Sequence, residues 1–382
     1  MGIAIKVGGP PKAVAANAPV PTPASRTVGA KRFNIIYVEL TNACNFTCDY
    51  CPIDQQTRKK TIMKTEFAID VLDQIADNHL TDVITFHLMG EPYLHKNLSE
   101  LTAYAESRGL RVRLLTNGSL LSPARNLSLF NANLSHLEVG FRTPNDSSFS
   151  MRLRGGSLTL SEYLRRVEGL LDDKIRVGAR TEVAVKFFIR TKAAEYGVGE
   201  SYEHLTSERD NLAMAHHFYD FVMRSARRHG KAIEGWDEIP IRVVDGGYPI
   251  YPGITLNWSR LQDFWMREQR GQTGGWDAVV CGCNAAFREN FAVLADGRVT
   301  TCCVDYDAKN VVGDLRKNTL MEVINSPEAQ HMKRSLEWFR PPTKFCRECK
   351  GGPTFATSAL KQVLTVYLDG KARILGRGVK NL

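Results

Sequence analysis

Between Cys51 and Cys281 the chain has no cysteine, and its first 32 residues contain no acidic side chain. No apolar run approaches the eighteen or so residues a membrane span needs, and no apolar segment near the N-terminus reads as a secretory signal. These absences argue against a membrane protein and lead us to expect a cytoplasmic one. The nine cysteines are an odd number and fall into two groups near opposite ends, in CxxC, CxC and CC arrangements. That is a poor disulfide framework and a good metal-ligand pattern in a reducing compartment. The acid-free N-terminus carries Lys6, Lys12, Arg26, Lys31 and Arg32, and residues 361–382 carry five Lys/Arg against Asp369 alone. These two ends hold the whole formal excess of +9, so residues 33–360 are neutral. A dedicated nucleic-acid binder would place its basic stripe on the folded surface, so nucleic acid is not an expected partner.

With 382 residues, 43% hydrophobic and 24% charged, the chain fits a main globular domain of barrel size plus a smaller one. Residues 1–32, rich in Ala, Pro and Gly, read as a disordered arm. Strand-like runs follow at 33–40, 83–88, 111–116, 136–141, 182–189 and 239–244, separated by amphipathic helical stretches such as 64–79, 98–109, 160–173 and 212–230. Six such repeats predict an α/β fold with a parallel sheet, doubly wound or curled into a barrel, with chemistry at the C-terminal strand ends. Residues 246–280, aromatic and Gly-rich, read as a junction. A strand, an Asp296-Gly297 turn and a second strand follow over 290–303. Residues 318–338 read as helix broken at Pro327, and 356–382 as a C-terminal helix with a basic tail.

The first cysteine group, "TNACNFTCDYCPID" (41–54), begins directly after the first strand. Cys44, Cys48 and Cys51 suffice for three corners of a [4Fe–4S] cube. A closed structural site wants a fourth protein ligand, and the next cysteine is far along the chain. The plain alternative is a zinc knuckle with a distant fourth ligand. The CxxxCxxC spacing, with Tyr50 just before the last cysteine, resembles the signature of the radical SAM superfamily. That resemblance implies that S-adenosylmethionine occupies the open iron and yields a 5′-deoxyadenosyl radical. It also implies a partial (β/α)6 TIM-like barrel over residues 33–245. Met89-Gly90-Glu91-Pro92, ending the second strand, resembles the family's GGEP segment, with Met89 in place of the first Gly. Gly90 lacks a side chain where the backbone must approach the cosubstrate. Thr116 and Asn117, ending the third strand, would face the same site. Arg154 would suit the cosubstrate's carboxylate.

The second group, Cys283-x13-Gly297-x4-Cys302 followed by Cys346-x2-Cys349, resembles the SPASM or Twitch extension of radical SAM enzymes. It implies an auxiliary [4Fe–4S] cluster on Cys283, Cys302, Cys346 and Cys349, in a small α+β domain over 281–355. A zinc ribbon is the plain alternative. Cys281 and Cys303 are left over, although the neighbours in each pair could exchange roles. Either spare thiol could return a hydrogen atom to a substrate radical.

Three functions are compatible with these motifs. The first is oxidation, epimerisation or elimination of a small polar substrate (a sugar, aminocyclitol or sugar nucleoside of an antibiotic-type pathway). The second is maturation of a ribosomal peptide by oxidation or crosslinking. The third is a metal-stabilised interaction protein without SAM cleavage. An enzyme of the first two kinds would draw electrons from a flavodoxin- or ferredoxin-type reductant. Lys186, Arg190 and Asp245 are further candidates for binding or proton transfer. His216-His217, adjacent on a helix, cannot share one face and receives no role.

Overall fold

The structure is a computed structural model, described here for residues 33–153, 157–190, 202–236, 241, 246–261, 275–281, 283 and 289–374. Its centre is a ten-stranded open sheet: β1 (Ile35–Val38), β2 (Val83–Thr85), β3 (Arg111–Thr116), β4 (His136–Val139), β5 (Glu182–Ile189), β6 (Gly246–Tyr251), β7 (Ile254–Arg260), β8 (Asn290–Val293), β9 (Arg298–Thr300) and β10 (Val311–Asp314). The spatial order is β10-β9-β8-β1-β2-β3-β4-β5-β7-β6. The seven strands from β8 through β1 to β5 and β7 run parallel. Antiparallel strands flank them on both edges. The expected α/β class and partial barrel are thus what the chain forms.

Two elements depart from the sequence reading. Residues 246–260, expected as a junction, form the β6–β7 hairpin, and β7 is the parallel neighbour of β5. Pro249 is tolerated because β6 is an edge strand, where a missing N–H breaks no ladder. The expected strand over 239–244 lies outside the described residues, Ile241 excepted. At the other edge the 290–300 hairpin, expected in a separate small domain, is built into the main sheet: β8 pairs in parallel with β1 from Ile35↔Asn290 to Val38↔Val293. The hairpin that leads to Cys302 and Cys303 is thereby fixed beside the strand that launches the first group.

Alternation along the strands divides the sheet into two faces. Ile36, Val38, Ile84, Val112, Leu114, Leu137, Val139, Val183, Val185, Phe187 and Trp258 point to one side and form the main core. Helices over Thr65–Asp77, Leu98–Ser107, Pro123–Asn131, Leu160–Val177 and Glu208–Arg228 cover that side. The helix Leu160–Val177 shows how local chemistry sets these boundaries. Thr159 and Glu162 form a reciprocal capping box at its start, and Gly178 in the left-handed conformation ends it. The opposite face carries Tyr37, Arg113, Glu138 and Lys186, and is polar. Among the described residues no helix is long and apolar enough to cross a membrane.

Candidate active site

The loop after β1 is closed at its neck by backbone pairing of Thr41 with Ile62. The buried Asn42 clamps it further: its Nδ2 donates to Gln56 Oε1 (2.6 Å) and Lys59 O (3.0 Å), and its Oδ1 accepts from Thr61 N (2.6 Å). The far side of the loop is held by the segment after β4, with Thr47 N donating to Arg152 O (3.0 Å) and Asp49 N to Met151 O (2.9 Å). A loop anchored at both ends presents Cys44, Cys48 and Cys51 together. All three are free thiols, set in an apolar wall with Phe46, Tyr50 and Phe188. Tyr50 packs edge-on against Phe188 at 5.3 Å. Cys44 Sγ accepts from Phe46 N (3.4 Å) and Asn117 Nδ2 (3.5 Å).

The segment resembling GGEP reaches this loop directly. Glu91 N donates to Ala43 O at 2.8 Å. Gly90 has φ +76°, and a Cβ there would stand 2.3 Å from Thr41 O and 2.6 Å from Ala43 O. Only glycine lets the two backbones meet. Glu91, 1% exposed, then ties β2 to β3. Its Oε1 accepts from Thr116 Oγ1 (2.7 Å) and Tyr93 N (3.1 Å), and its Oε2 from Asn117 N (2.6 Å). Burial pushes its carboxyl up to about 6 against these hydrogen bonds. Met89 is buried and Pro92 opens a short 3-10 turn. Gly90, Glu91 and Asn117 thus meet the cysteine loop directly, Met89 shares an apolar cluster with Cys44 and Cys51, and Thr116 is joined to it through Glu91. Arg154 lies outside the described residues.

Two buried arginines around this centre escaped the sequence reading. Arg58 forms a two-pronged pair with Glu39 (both 2.7 Å), with side chains 3% and 0% exposed. Burial opposes the Arg58 charge, but the Glu39 carboxylate outweighs it. Glu39 also accepts from Met89 N (3.3 Å) and Ala295 N (3.0 Å), while Arg58 Nε donates to Tyr306 O (2.9 Å). One ion pair therefore joins β1, the Met89 segment, the cysteine loop and the second hairpin. The single carboxylate in the strand run "FNIIYVEL" was the available signal. Arg152, 1% exposed, donates to Phe141 O (2.7 Å) and Asn117 O (3.1 Å). Its guanidinium lies over the rings of Phe46 (4.6 Å) and Tyr163 (5.0 Å), which suits a weakly hydrated planar cation.

The second cysteine group separates its two leftover thiols. Cys302 Sγ accepts from Val304 N (3.3 Å), and Asn310 Nδ2 is 3.7 Å from Cys346 Sγ. Cys283, Cys302 and Cys349 lie within electrostatic reach of the Lys350 ammonium, and Cys346 of Cys283, Cys302 and Cys349. Cys281 joins them, packed with Met332 and Leu336. Cys303 adjoins Cys302 and the Tyr37 hydroxyl and also shares an apolar cluster with Cys44, Cys51, Met89 and Tyr37. Cys303 thus adjoins both cysteine groups, whereas Cys281 packs with the second.

The donor sets fit iron–sulfur clusters. Burial pushes Cys44 and Cys346 up to about 11 and Cys349 up to about 12, so these thiols shed their protons when a metal binds. Among the described residues no three His, Cys, Asp or Glu side chains converge on a single ion; a cube instead takes one sulfur per iron. The N–H donors at Cys44 and Cys302 are of the kind that would tune cluster sulfurs.

Of the remaining candidates, Lys186 is bound to Glu138 (2.6 Å), and Arg190 pairs with Glu203 at the surface. Asp245 lies outside the described residues. His217 pairs with Glu168 (2.8 Å).

The chain belongs to the radical SAM superfamily, whose signature covers residues 38–186, and a SPASM iron–sulfur cluster-binding domain covers residues 281–350. It is therefore an enzyme that uses S-adenosylmethionine, a [4Fe–4S] cluster and auxiliary iron–sulfur chemistry. Among curated proteins it is similar to the PqqA peptide cyclase of Granulibacter bethesdensis, 31% identical over 323 residues, covering 82% of this chain and 79% of the relative. The PqqA peptide cyclase of Rhizobium meliloti is 26% identical over 329 residues, covering 82% and 78%. The S-adenosyl-L-methionine-dependent 2-deoxy-scyllo-inosamine dehydrogenase of Niallia circulans is 35% identical over only 98 residues, 25% of this chain and 39% of the relative.

Proposed function

We propose that this enzyme matures a peptide, crosslinking or oxidising a side chain of a ribosomal precursor. The observation that carries the reading is similarity to peptide cyclases along most of both chains. The small-polar-substrate reading has in its favour a match over a quarter of this chain. When bound, the cosubstrate and the first cluster supply a radical that takes a hydrogen atom from substrate carbon. The protein's part is aim and exclusion of side reactions. Cys44, Cys48 and Cys51 would hold the cluster, Asn117 positions Cys44, and the Gly90–Glu91 backbone would bind the cosubstrate beside it. Cys283, Cys302, Cys346 and Cys349 would hold the auxiliary cluster, which would supply an acceptor for the electron released in oxidation. A flavodoxin- or ferredoxin-type protein supplies the starting electron.

The test is incubation of anaerobically reconstituted enzyme with S-adenosylmethionine, reductant and a precursor peptide encoded beside its gene. The expected result is 5′-deoxyadenosine together with a peptide lighter by two hydrogens. Unchanged peptide alongside oxidation of an aminocyclitol or sugar would overturn the reading.

A second fate for the substrate radical is favoured by the position of Cys303 between the two cysteine groups: return of a hydrogen atom from the Cys303 thiol, with the thiyl radical then reduced by one electron from the reductant and reprotonated from solvent. In deuterated water the product would carry deuterium at the reacting carbon. Cys303→Ser would abolish that label and Cys281→Ser would leave it. Equal labelling in all three proteins removes Cys303 from the mechanism.

A further inference from the structure

The helix Phe355–Ile374 turns an apolar side outward. Phe355, Val363, Val366 and Tyr367 fall on that side at helical spacing. Trp276 and Val279 extend it into a patch. The Trp276 ring stands edge-on to Phe355 at 5.2 Å, and Val279 N and Val280 N both donate to Gln362 Oε1 (3.0 Å). Trp276, Val279, Phe355, Val363 and Tyr367 are each more than half exposed, and Val366 is 43% exposed. Large apolar side chains gathered in this way on a surface mark an interaction site.

The patch is tied to the second cysteine group. Trp276 and Gly352 exchange backbone hydrogen bonds (2.8 and 3.1 Å), and Ala278 N donates to Arg347 O (3.0 Å), between Cys346 and Cys349. The surrounding sequence is basic: residues 344–382 carry eight Lys/Arg against Glu348 and Asp369. Glu348 lies 3.6 Å from Lys344, and Asp277, next to Trp276, lies 3.6 Å from Arg347, so both of these acids are already matched by a base. A second copy of this chain would bring like charges together here, whereas an acidic protein would not. An apolar centre in basic surroundings, next to cysteines suited to a redox cluster, fits a soluble one-electron carrier, whose encounters are small and transient. We propose that this patch docks an acidic electron-carrier protein of the flavodoxin or ferredoxin type, which exchanges single electrons with the auxiliary cluster. Each electron given oxidises the carrier by one and reduces the cluster by one; the electron left by substrate oxidation returns the same way. This docking rests on the auxiliary cluster and the carrier proposed above and adds the surface on which they meet.

The test is anaerobic isothermal calorimetry of the reconstituted holoenzyme with an acidic flavodoxin and with an acidic ferredoxin. Saturable binding of at least one, weakening as salt is raised, is the expected result. Val363→Glu/Val366→Glu puts two acids into the patch, in a helix that glutamate favours over valine, and should weaken that binding roughly tenfold. Val177→Glu, at an exposed apolar position ending the helix Leu160–Val177, should leave it unchanged. In stopped flow, bleaching of the iron–sulfur absorbance by the reduced carrier should slow in the patch variant, while bleaching by dithionite, which needs no docking, should not. No binding of either carrier, or equal binding to the wild type and the patch variant, overturns the proposal. So does a patch variant that loses binding to anionic phospholipid vesicles, or self-association in sedimentation, with its carrier binding intact. Iron content and circular dichroism of each variant establish that it is folded. Carrier docking without peptide processing would refute the maturase reading alone; processing driven by dithionite without docking at the patch would refute this inference alone.

Discussion

Gly90→Ala is expected to yield protein that retains its auxiliary cluster and loses the first. The added Cβ would stand 2.3 Å and 2.6 Å from two backbone oxygens of the cysteine loop. Neither can yield as the end of a flexible side chain would, because Asn42 and the Thr41–Ile62 pairing fix that part of the loop. The positive φ adds about 1–2 kcal/mol of its own. The loop must shift, and Cys44 moves with it. Iron per chain should fall to about half that of the wild type, with no 5′-deoxyadenosine formed. Full iron with normal cleavage of S-adenosylmethionine would show that the close approach of these backbones is dispensable.

Arg58→Met should be the most destabilising single change at the junction between the two cysteine groups. It strands the Glu39 carboxylate in a fully buried position, and breaking such a pair costs about 3–5 kcal/mol. The expected readout is a large fall in the urea midpoint of the anaerobic holoenzyme with an unchanged slope. The double variant Glu39→Leu/Arg58→Met removes both charges and should recover most of the loss in the midpoint, although Met89 N and Ala295 N then lose their acceptor. A loss of stability below about 1 kcal/mol in Arg58→Met would mean the pair is hydrated and does not organise the junction.

Glu91→Gln offers a smaller, local test. The amide retains one acceptor oxygen for Thr116 Oγ1 and Tyr93 N, but turns an N–H₂ toward Asn117 N in place of the oxygen at 2.6 Å. A buried donor facing a donor costs about 1–3 kcal/mol. Asn117 also holds Cys44, so the first cluster should be more readily lost to a chelator than in the wild type. Unchanged chelation kinetics would separate Glu91 from cluster retention.

What could be read from the sequence followed from how local each feature is. The CxxxCxxC loop, the Asp-Gly hairpin turn and the β/α alternation are short-range patterns, and the strands 111–116 and 182–189 stand where their periodicity put them. The Glu39–Arg58 pair, the Arg152 box and the Glu138–Lys186 pair join residues from different strands and loops, so only the fold reveals them. The β6–β7 hairpin was hidden by its composition: Gly246, Gly247 and Pro249 read as breakers, and pairing at a sheet edge overrides them. Cys281 and Cys303 looked equivalent because spacing alone does not say which way a side chain points. The packing of Cys303 against Tyr37 and of Cys281 against Met332 separates them.

The central claim is that the loop of Cys44, Cys48 and Cys51 leaves one iron free for the cosubstrate. Electron paramagnetic resonance of the dithionite-reduced enzyme, recorded with and without S-adenosylmethionine carrying a ¹⁷O-labelled carboxylate, tests it directly. The account predicts a shift of the first cluster's signal and hyperfine coupling to the label, both persisting in a Cys346→Ala variant and absent from Cys48→Ala. A signal indifferent to S-adenosylmethionine in the wild-type protein would contradict it.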